Sequence, residues 1–124
     1  MPATDTSSLI AYFGGGTGSD VALVQSALTD ASLSLPPVVI TELLSDPKTA
    51  QRLEPVLANW PLLDLTPGYW VRAGATRALL IAKGLRPKVP DTLIAQSCID
   101  HDVALITRDA DFRHFAKHCG LKLA

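Results

Sequence analysis

Apolar positions recur along this chain with two different periods, and the alternation between them outlines a fold. Val21, Val24 and Leu28 lie three and four residues apart and predict a helix over residues 20–29. A shorter helix is predicted before it, from Ser7 to Phe13, with Leu9, Ile10 and Phe13 apolar. Residues 37–45 carry Val38, Val39, Leu43 and Leu44, and Pro37 suits a first helical turn. Lys48 to Asn59 repeats the helical spacing through Leu53, Val56 and Leu57, and Pro55 is expected to kink or split that helix. A longer helix is predicted from Gly68 to Lys83, stopped by Gly84. After the rigid segment Arg86-Pro87-Lys88-Val89-Pro90, Asp91 is expected to open a helix that runs to Asp100. A last short helix is predicted over 111–118.

Between these helices lie short runs with strand character. The clearest is Val103-Ala104-Leu105-Ile106-Thr107, almost continuously apolar, as in a strand covered on both faces. Pro2-Ala3-Thr4, Leu33-Ser34-Leu35, Leu62-Leu63-Asp64-Leu65 and Leu121-Lys122-Leu123 are weaker candidates, the last as an edge strand. Strands alternating with helices predict a parallel sheet with helices on both faces, an α/β fold. Residues 1–124 are expected to form a single domain, since 124 residues is an ordinary domain length.

Composition narrows the picture in three ways. An apolar fraction of 48% against 19% charged residues is that of a chain with a core, not a disordered one. The formal net charge of −1 excludes a uniformly basic nucleic-acid coat but leaves room for a local basic patch. The charge is in fact uneven: residues 1–82 hold 4 Lys/Arg and 7 Asp/Glu, whereas residues 83–124 hold 7 and 5. Two cysteines, Cys98 and Cys119, are too few for a disulfide framework and fit a reducing compartment. The start Met1-Pro2-Ala3-Thr4-Asp5 lacks the basic and apolar regions of an export signal. No window approaches a membrane span, so a cytoplasmic location is expected.

The chemistry suggested by the pattern lies in its carboxylates. Ligand sites in open parallel sheets form outside the carboxyl ends of the strands. Asp5 follows the first strand candidate, Asp109 and Asp111 follow the strongest one, and Asp91 begins the helix that feeds it. Glu42 sits in mid-helix among Ile40, Leu43 and Leu44, which favours an inward orientation. Carboxylates converging on one cleft repel each other and call for a cation. All-oxygen ligands suit Mg²⁺ or Mn²⁺ rather than zinc, and such ions serve phosphodiester hydrolysis. Each acid also has a local explanation. Asp91 after Pro90 could be a helix N-cap, Asp5 could cap the first helix, Asp109 and Asp111 could be turn residues, and Glu42 could face solvent.

Four segments in order resemble the PIN-domain ribonucleases, specifically the VapC-type toxins of bacterial toxin–antitoxin pairs. They are Asp5-Thr6-Ser7-Ser8-Leu9-Ile10, Val39-Ile40-Thr41-Glu42-Leu43-Leu44, Pro90-Asp91-Thr92-Leu93-Ile94-Ala95 and Leu105-Ile106-Thr107-Arg108-Asp109-Ala110-Asp111-Phe112. The resemblance covers nearly the whole chain. It implies a three-layer α/β/α PIN-like fold with a central parallel sheet. It implies a Mg²⁺- or Mn²⁺-dependent endoribonuclease, the toxin of a type II pair, that dimerises and is restrained by a cognate antitoxin. Asp5, Glu42, Asp91 and Asp109 match the acidic quartet, and Asp111 matches a further acid. Asp5, Asp91, Asp109 and Asp111 are the expected metal ligands, with Ser7 and Thr107 as accessory hydroxyls. Lys83, Arg86, Lys88 and Arg108 are expected to meet the RNA substrate. The first strand, Pro2-Ala3-Thr4, is shorter than the aliphatic run usual in the family.

Other readings of the chain are a PIN-like module that binds RNA or protein without catalysis, and a different acidic-site phosphohydrolase. A dehalogenase-type phosphatase would need Asp-x-Asp where Asp5-Thr6-Ser7 stands. Gly14-Gly15-Gly16-Thr17-Gly18 lacks the Gly-Lys-Ser/Thr end of a phosphate-binding loop. His114, His118 and Cys119 have zinc-like spacing but no fourth ligand. Ser7 lacks the surroundings of a hydrolase nucleophile. Trp60, Tyr69 and Trp70 are expected in the core or at an interface. The helices over 37–59 carry more apolar residues than one inward stripe needs, which points to a homodimer contact there.

Overall fold

The computed structural model describes residues 1–124. Strand β1 is Ala3–Thr4, β2 is Ala104–Ile106 and β3 is Lys122–Leu123, and they form a parallel sheet in the order β1-β2-β3. Two single parallel bridges, Ala3 with Ser34 and Leu35 with Leu62, continue the sheet beyond β1. The strand candidates at 33–35 and 62–65 are thus reduced to bridging residues. Each is cut short by proline at a flank, Pro36-Pro37 after the first and Pro61 before the second, and proline cannot donate to a ladder.

Helices α1 (Thr6–Phe13), α2 (Ser19–Thr29), α3 (Pro37–Leu44) and α4 (Pro47–Leu57) precede α5 (Tyr69–Ala82), α6 (Val89–His101) and α7 (Arg113–Cys119). The last predicted helix therefore divides into a 3₁₀ turn over Ala110–Phe112 and then α7. Pro55 does not split α4. It lies near the end of the helix, which runs on to Leu57.

Twenty buried apolar residues form the core. Leu105 and Ile106 of β2 are fully buried, with Leu9, Val24, Leu35, Val39, Leu43, Leu80 and Ile94 around them. Val39, Leu43, Leu53 and Leu57 are all buried, and Val38 and Leu44 pack against the same core, which leaves Val56 exposed. Most of the apolar side chains expected to form a surplus face on 37–59 are thus spent inside the chain itself, with Val38 half-buried. Greater apolar exposure than at Val56 is found at Trp70 (65%), Val71 (78%) and Val89 (53%) on α5 and α6. Trp60 packs against the core beside Phe13, and Tyr69 is buried with its hydroxyl donating to the Leu93 carbonyl at 2.6 Å. Helices α5 and α6 are joined by Arg72 and Asp100 (Nη2 to Oδ2, 2.7 Å).

Candidate metal centre

Strand register places the first acid. Ala3 pairs with Leu105 and Thr4 with Ile106, and the Asp5 amide donates to the Ile106 carbonyl at 3.1 Å. Asp5 therefore leaves the sheet beside Thr107. The Thr107 hydroxyl donates to Asp5 Oδ2 at 2.5 Å, and Ser7 Oγ donates to the same carboxylate at 2.8 Å. The chain turns at Asp5 into α1, and Asp5 Oδ1 caps that helix by accepting from the Ser8 amide at 3.0 Å. Capping and a place in the site are thus one arrangement. Burial pushes the Asp5 carboxyl above its ordinary range, and the hydrogen bonds from Thr107, Ser8 and Ser7 oppose it. Although β1 has only two residues, the Asp5 carboxylate is held by hydrogen bonds from Ser7, Ser8 and Thr107.

The other acids arrive from three elements. Asp109 follows β2, and its Oδ1 accepts from the Asp111 amide at 2.9 Å, closing the 3₁₀ turn. Its own amide donates to Thr107 Oγ1 at 3.0 Å. Asp91 is not the N-cap of α6. The helix begins two residues earlier at Val89, because Pro90 tolerates the first turn, and Lys88 occupies the cap position without a side-chain bond. Released from capping, the Asp91 side chain lines a depression of about 260 Å³ together with Asp5, Thr6, Ser7, Glu42, Lys88 and Asp109. Glu42 faces into this depression from α3, and its Oε1 accepts from Thr6 Oγ1 at 2.7 Å.

Asp91, Asp109 and Asp111 each offer a carboxylate oxygen, and these atoms lie within 4.8 Å of one another. Asp5 and Glu42 stand in the same depression outside that trio. The crowding has an electrostatic signature. Burial, followed by the charges of Asp109, Glu42 and Asp111 and against the pull of Lys88, pushes the Asp91 carboxyl up to about 6. The first turn of a helix ordinarily favours an ionised acid, so repulsion and burial outweigh the dipole here. An oxygen-only donor set carrying excess negative charge fits a hard divalent cation such as Mg²⁺ or Mn²⁺.

The basic residues divide. Arg86 and Lys88 make no ion pair, and both line a second depression of about 110 Å³ with Asp91, Asp111 and His114. Lys83 sits near His118 and Cys119 and lines neither depression. Arg108 is already engaged. Its Nε donates to Asp20 Oδ2 at 2.8 Å, its Nη2 to Asp20 Oδ1 at 3.0 Å and to the Thr17 carbonyl at 3.0 Å. That guanidinium holds Asp20 well below the usual carboxylate range, at about 2.

Two residues of this arrangement are not marked out by the sequence, Thr6 and Asp20. Thr6 differs in no visible way from the other hydroxyl residues of the run 6–8. Asp20 reads as an ordinary helix-start acid, and nothing in the sequence links it to a partner 88 residues away. His114, His118 and Cys119 form no metal-binding group. Burial first and then the charges of Lys83, Lys117 and His114 lower the proton affinity of His118, with no carboxylate beside it. Cys98 is buried behind the site and pushed up to about 12 by burial and by Asp5, which makes it an inert thiol.

A parallel α/β sheet whose carboxyl edge gathers acids around a cation-sized space defines a class of acidic-site α/β proteins. Within that class the PIN domain family model matches residues 3–118, and the chain belongs to the PIN domain family. Chains of known structure share its fold, two of them at high coverage. A chain of VapBC2 from Rickettsia felis bound to a DNA fragment from their promoter aligns with a TM-score of 0.75 at 19% identity, over 98% of this chain and 96% of that one. A chain of DNA-bound VapBC from Salmonella typhimurium aligns at 0.70 and 17% identity, over 100% and 98%. No curated protein matches the chain in sequence. No helix is long and apolar enough to cross a membrane.

Proposed function

We propose that this protein is a Mg²⁺- or Mn²⁺-dependent endoribonuclease and the toxin of a type II toxin–antitoxin pair, acting in the cytoplasm. The observation that carries the reading is the convergence of Asp91, Asp109 and Asp111 beside Asp5 and Glu42. Family membership and the likeness to chains of two VapBC complexes support it.

In this reading Asp91, Asp109 and Asp111 hold the cation, and Asp5 adds its charge from the same depression. Such a cation neutralises phosphate charge and lowers the pKa of an attacking water. Thr107 and Ser7 keep the Asp5 carboxylate in one orientation, so little reorganisation is needed when substrate arrives. Thr6 occupies Glu42 Oε1 and leaves Oε2 to accept the proton of the attacking water. Lys88, on the rim of both depressions, and Arg86 meet the phosphates of the RNA chain. Arg108 is committed to Asp20 and takes no direct part.

Purified protein free of any antitoxin should cleave RNA with Mg²⁺ or Mn²⁺ and lose that activity in EDTA. Activity that persists in EDTA would overturn the metal-assisted reading. Absence of cleavage with either ion on a panel of structured and single-stranded RNAs would leave a binding module as the better description.

A second copy is the proposed occupant of the apolar surface around Trp70. Two largely apolar depressions, of about 200 and 260 Å³, meet at Trp70 and are lined by Val38, Leu65, Ala73, Val89 and Leu93 among others. Light scattering at micromolar concentration is expected to give a dimer mass, and Trp70→Arg a monomer. A wild-type monomer would remove the dimer from the proposal.

A further inference from the structure

We propose that Asp20, which does not line the acidic depression, is a positioning residue that sets the spacing between Asp5 and Asp109. The inference rests on the metal-site reading above and extends it to a residue that touches neither cation nor substrate. Asp20 is 8% exposed and receives hydrogen bonds from two segments that the chain brings from far apart. Ser8 Oγ donates to Asp20 Oδ2 at 2.9 Å, and Ser8 is the residue whose amide fixes Asp5. Arg108 grips both oxygens of the same carboxylate, and Arg108 lies between Thr107, which bonds Asp5, and Asp109. One buried carboxylate thus ties the start of α1 to the turn after β2.

A closed ring follows from these contacts: Asp5, Ser8, Asp20, Arg108, Thr107 and back to Asp5. Asp109 hangs from it through its own amide on Thr107 Oγ1. The guanidinium also binds the Thr17 carbonyl, so the glycine-rich connection at 14–18 is held as well. Gly18 has φ +139°, and a Cβ there would stand 2.7 Å from Asp20 Oδ1, so this glycine lets the backbone pass the clamp. The two-pronged geometry needs arginine, since lysine offers one point of charge where the carboxylate presents two oxygens.

The test compares Asp20→Asn, Arg108→Gln and the double variant, all checked for folding by circular dichroism well below their melting temperatures. The first readout is Mn²⁺ affinity without RNA. Loss of a side chain that orients ligands typically weakens binding by about 10-fold or more, and that is the expected size for each single variant. The double variant should be no worse than either single one, because both act through one contact. The second readout needs no metal: amide hydrogen exchange at Asp109 and Ser8 should speed up in Asp20→Asn. RNA KM, measured at saturating metal, should stay within about twofold, since no phosphate contact is lost.

Unchanged exchange at Asp109 and Ser8 in a folded Asp20→Asn protein would overturn the inference. So would Arg108→Gln raising RNA KM with both other readouts unchanged, which would make Arg108 a substrate contact. A wild-type protein that binds no Mn²⁺ would instead defeat the metal-site reading, and the exchange measurement would still decide the clamp.

Discussion

Replacing Asp91 with asparagine should cut RNA cleavage by about 100-fold or more while making the metal-free protein harder to unfold at pH 7. The two effects have one cause. The asparagine side chain keeps the size and the helix position but removes one of the charges that Asp109, Glu42 and Asp111 press against. Asparagine cannot serve as an anionic ligand, so Mg²⁺ is held less well.

The direction of the pH dependence follows from the raised carboxyl. Folded Asp91 titrates near 6 against an ordinary value of 3.8. Between those values the folded state binds more protons than the unfolded one, so stability falls as pH rises. The contribution is fully present below 3.8 and gone above about 6. The Asp91→Asn protein has no such slope. In metal-free protein at pH 7 the variant should be the more stable by about 1 kcal/mol, after allowance for solvent screening in an open site. That corresponds to about 4 °C in melting temperature. At pH 4 the difference should vanish. Saturating Mg²⁺ should reverse the order at pH 7, because wild type gains more from binding. Equal cleavage by wild type and Asp91→Asn would remove Asp91 from the proposed site. Equal melting curves at pH 7 without metal would remove the repulsion argument.

The largest stability effect is expected at Phe112. Its ring is 1% exposed, lies 6.0 Å from that of Phe115, and closes the 3₁₀ turn that presents Asp109 and Asp111. Phe112→Ala leaves a cavity under that turn and should cost about 3–5 kcal/mol. For a domain of this size the melting temperature should fall by about 15 °C. Mn²⁺ affinity should drop with it at temperatures where the variant is still folded, since the turn loses its anchor. Phe112→Leu, which keeps most of the volume, should recover much of both. A Phe112→Ala protein that melts within a few degrees of wild type would mean that this ring is not the anchor.

The amino-acid pattern by itself determined where nearly every helix lies, because each inward stripe repeats within one element and needs no distant partner. It also determined the strand over 104–106 and the parallel α/β class, through an apolar run too continuous for a one-sided strand. Asp5, Asp109 and Asp111 were legible as candidates from their place after strands, Asp91 from the start of the helix before β2, and Glu42 from its apolar neighbours. Elements that depend on distant pairing were less legible. Ser34, Leu35 and Leu62 make single bridges because prolines beside them remove donors, and only the assembled sheet shows that Ser34 lies beside β1 and Leu62 beside Leu35.

Within the site, local chemistry misled where two roles compete for one side chain. Asp91 after Pro90 has every local mark of a cap. Only the helix start at Val89 frees its carboxylate, and only the approach of Asp109, Glu42 and Asp111 to this buried group raises its pKa so far. Nothing local to Arg108 announced its partner, and Asp20, 88 residues earlier, accepts from both Nε and Nη2. The apolar residues of 37–59 suggested an interface; most of them pack into their own chain, and the more exposed apolar side chain is Trp70 of α5, whose surface Val38 of α3 shares. Spacing along the chain carries information on a residue's own element. Which charges meet, and which apolar side chains remain uncovered, is decided by contacts between segments far apart in sequence, and those exist only once the tertiary structure has formed.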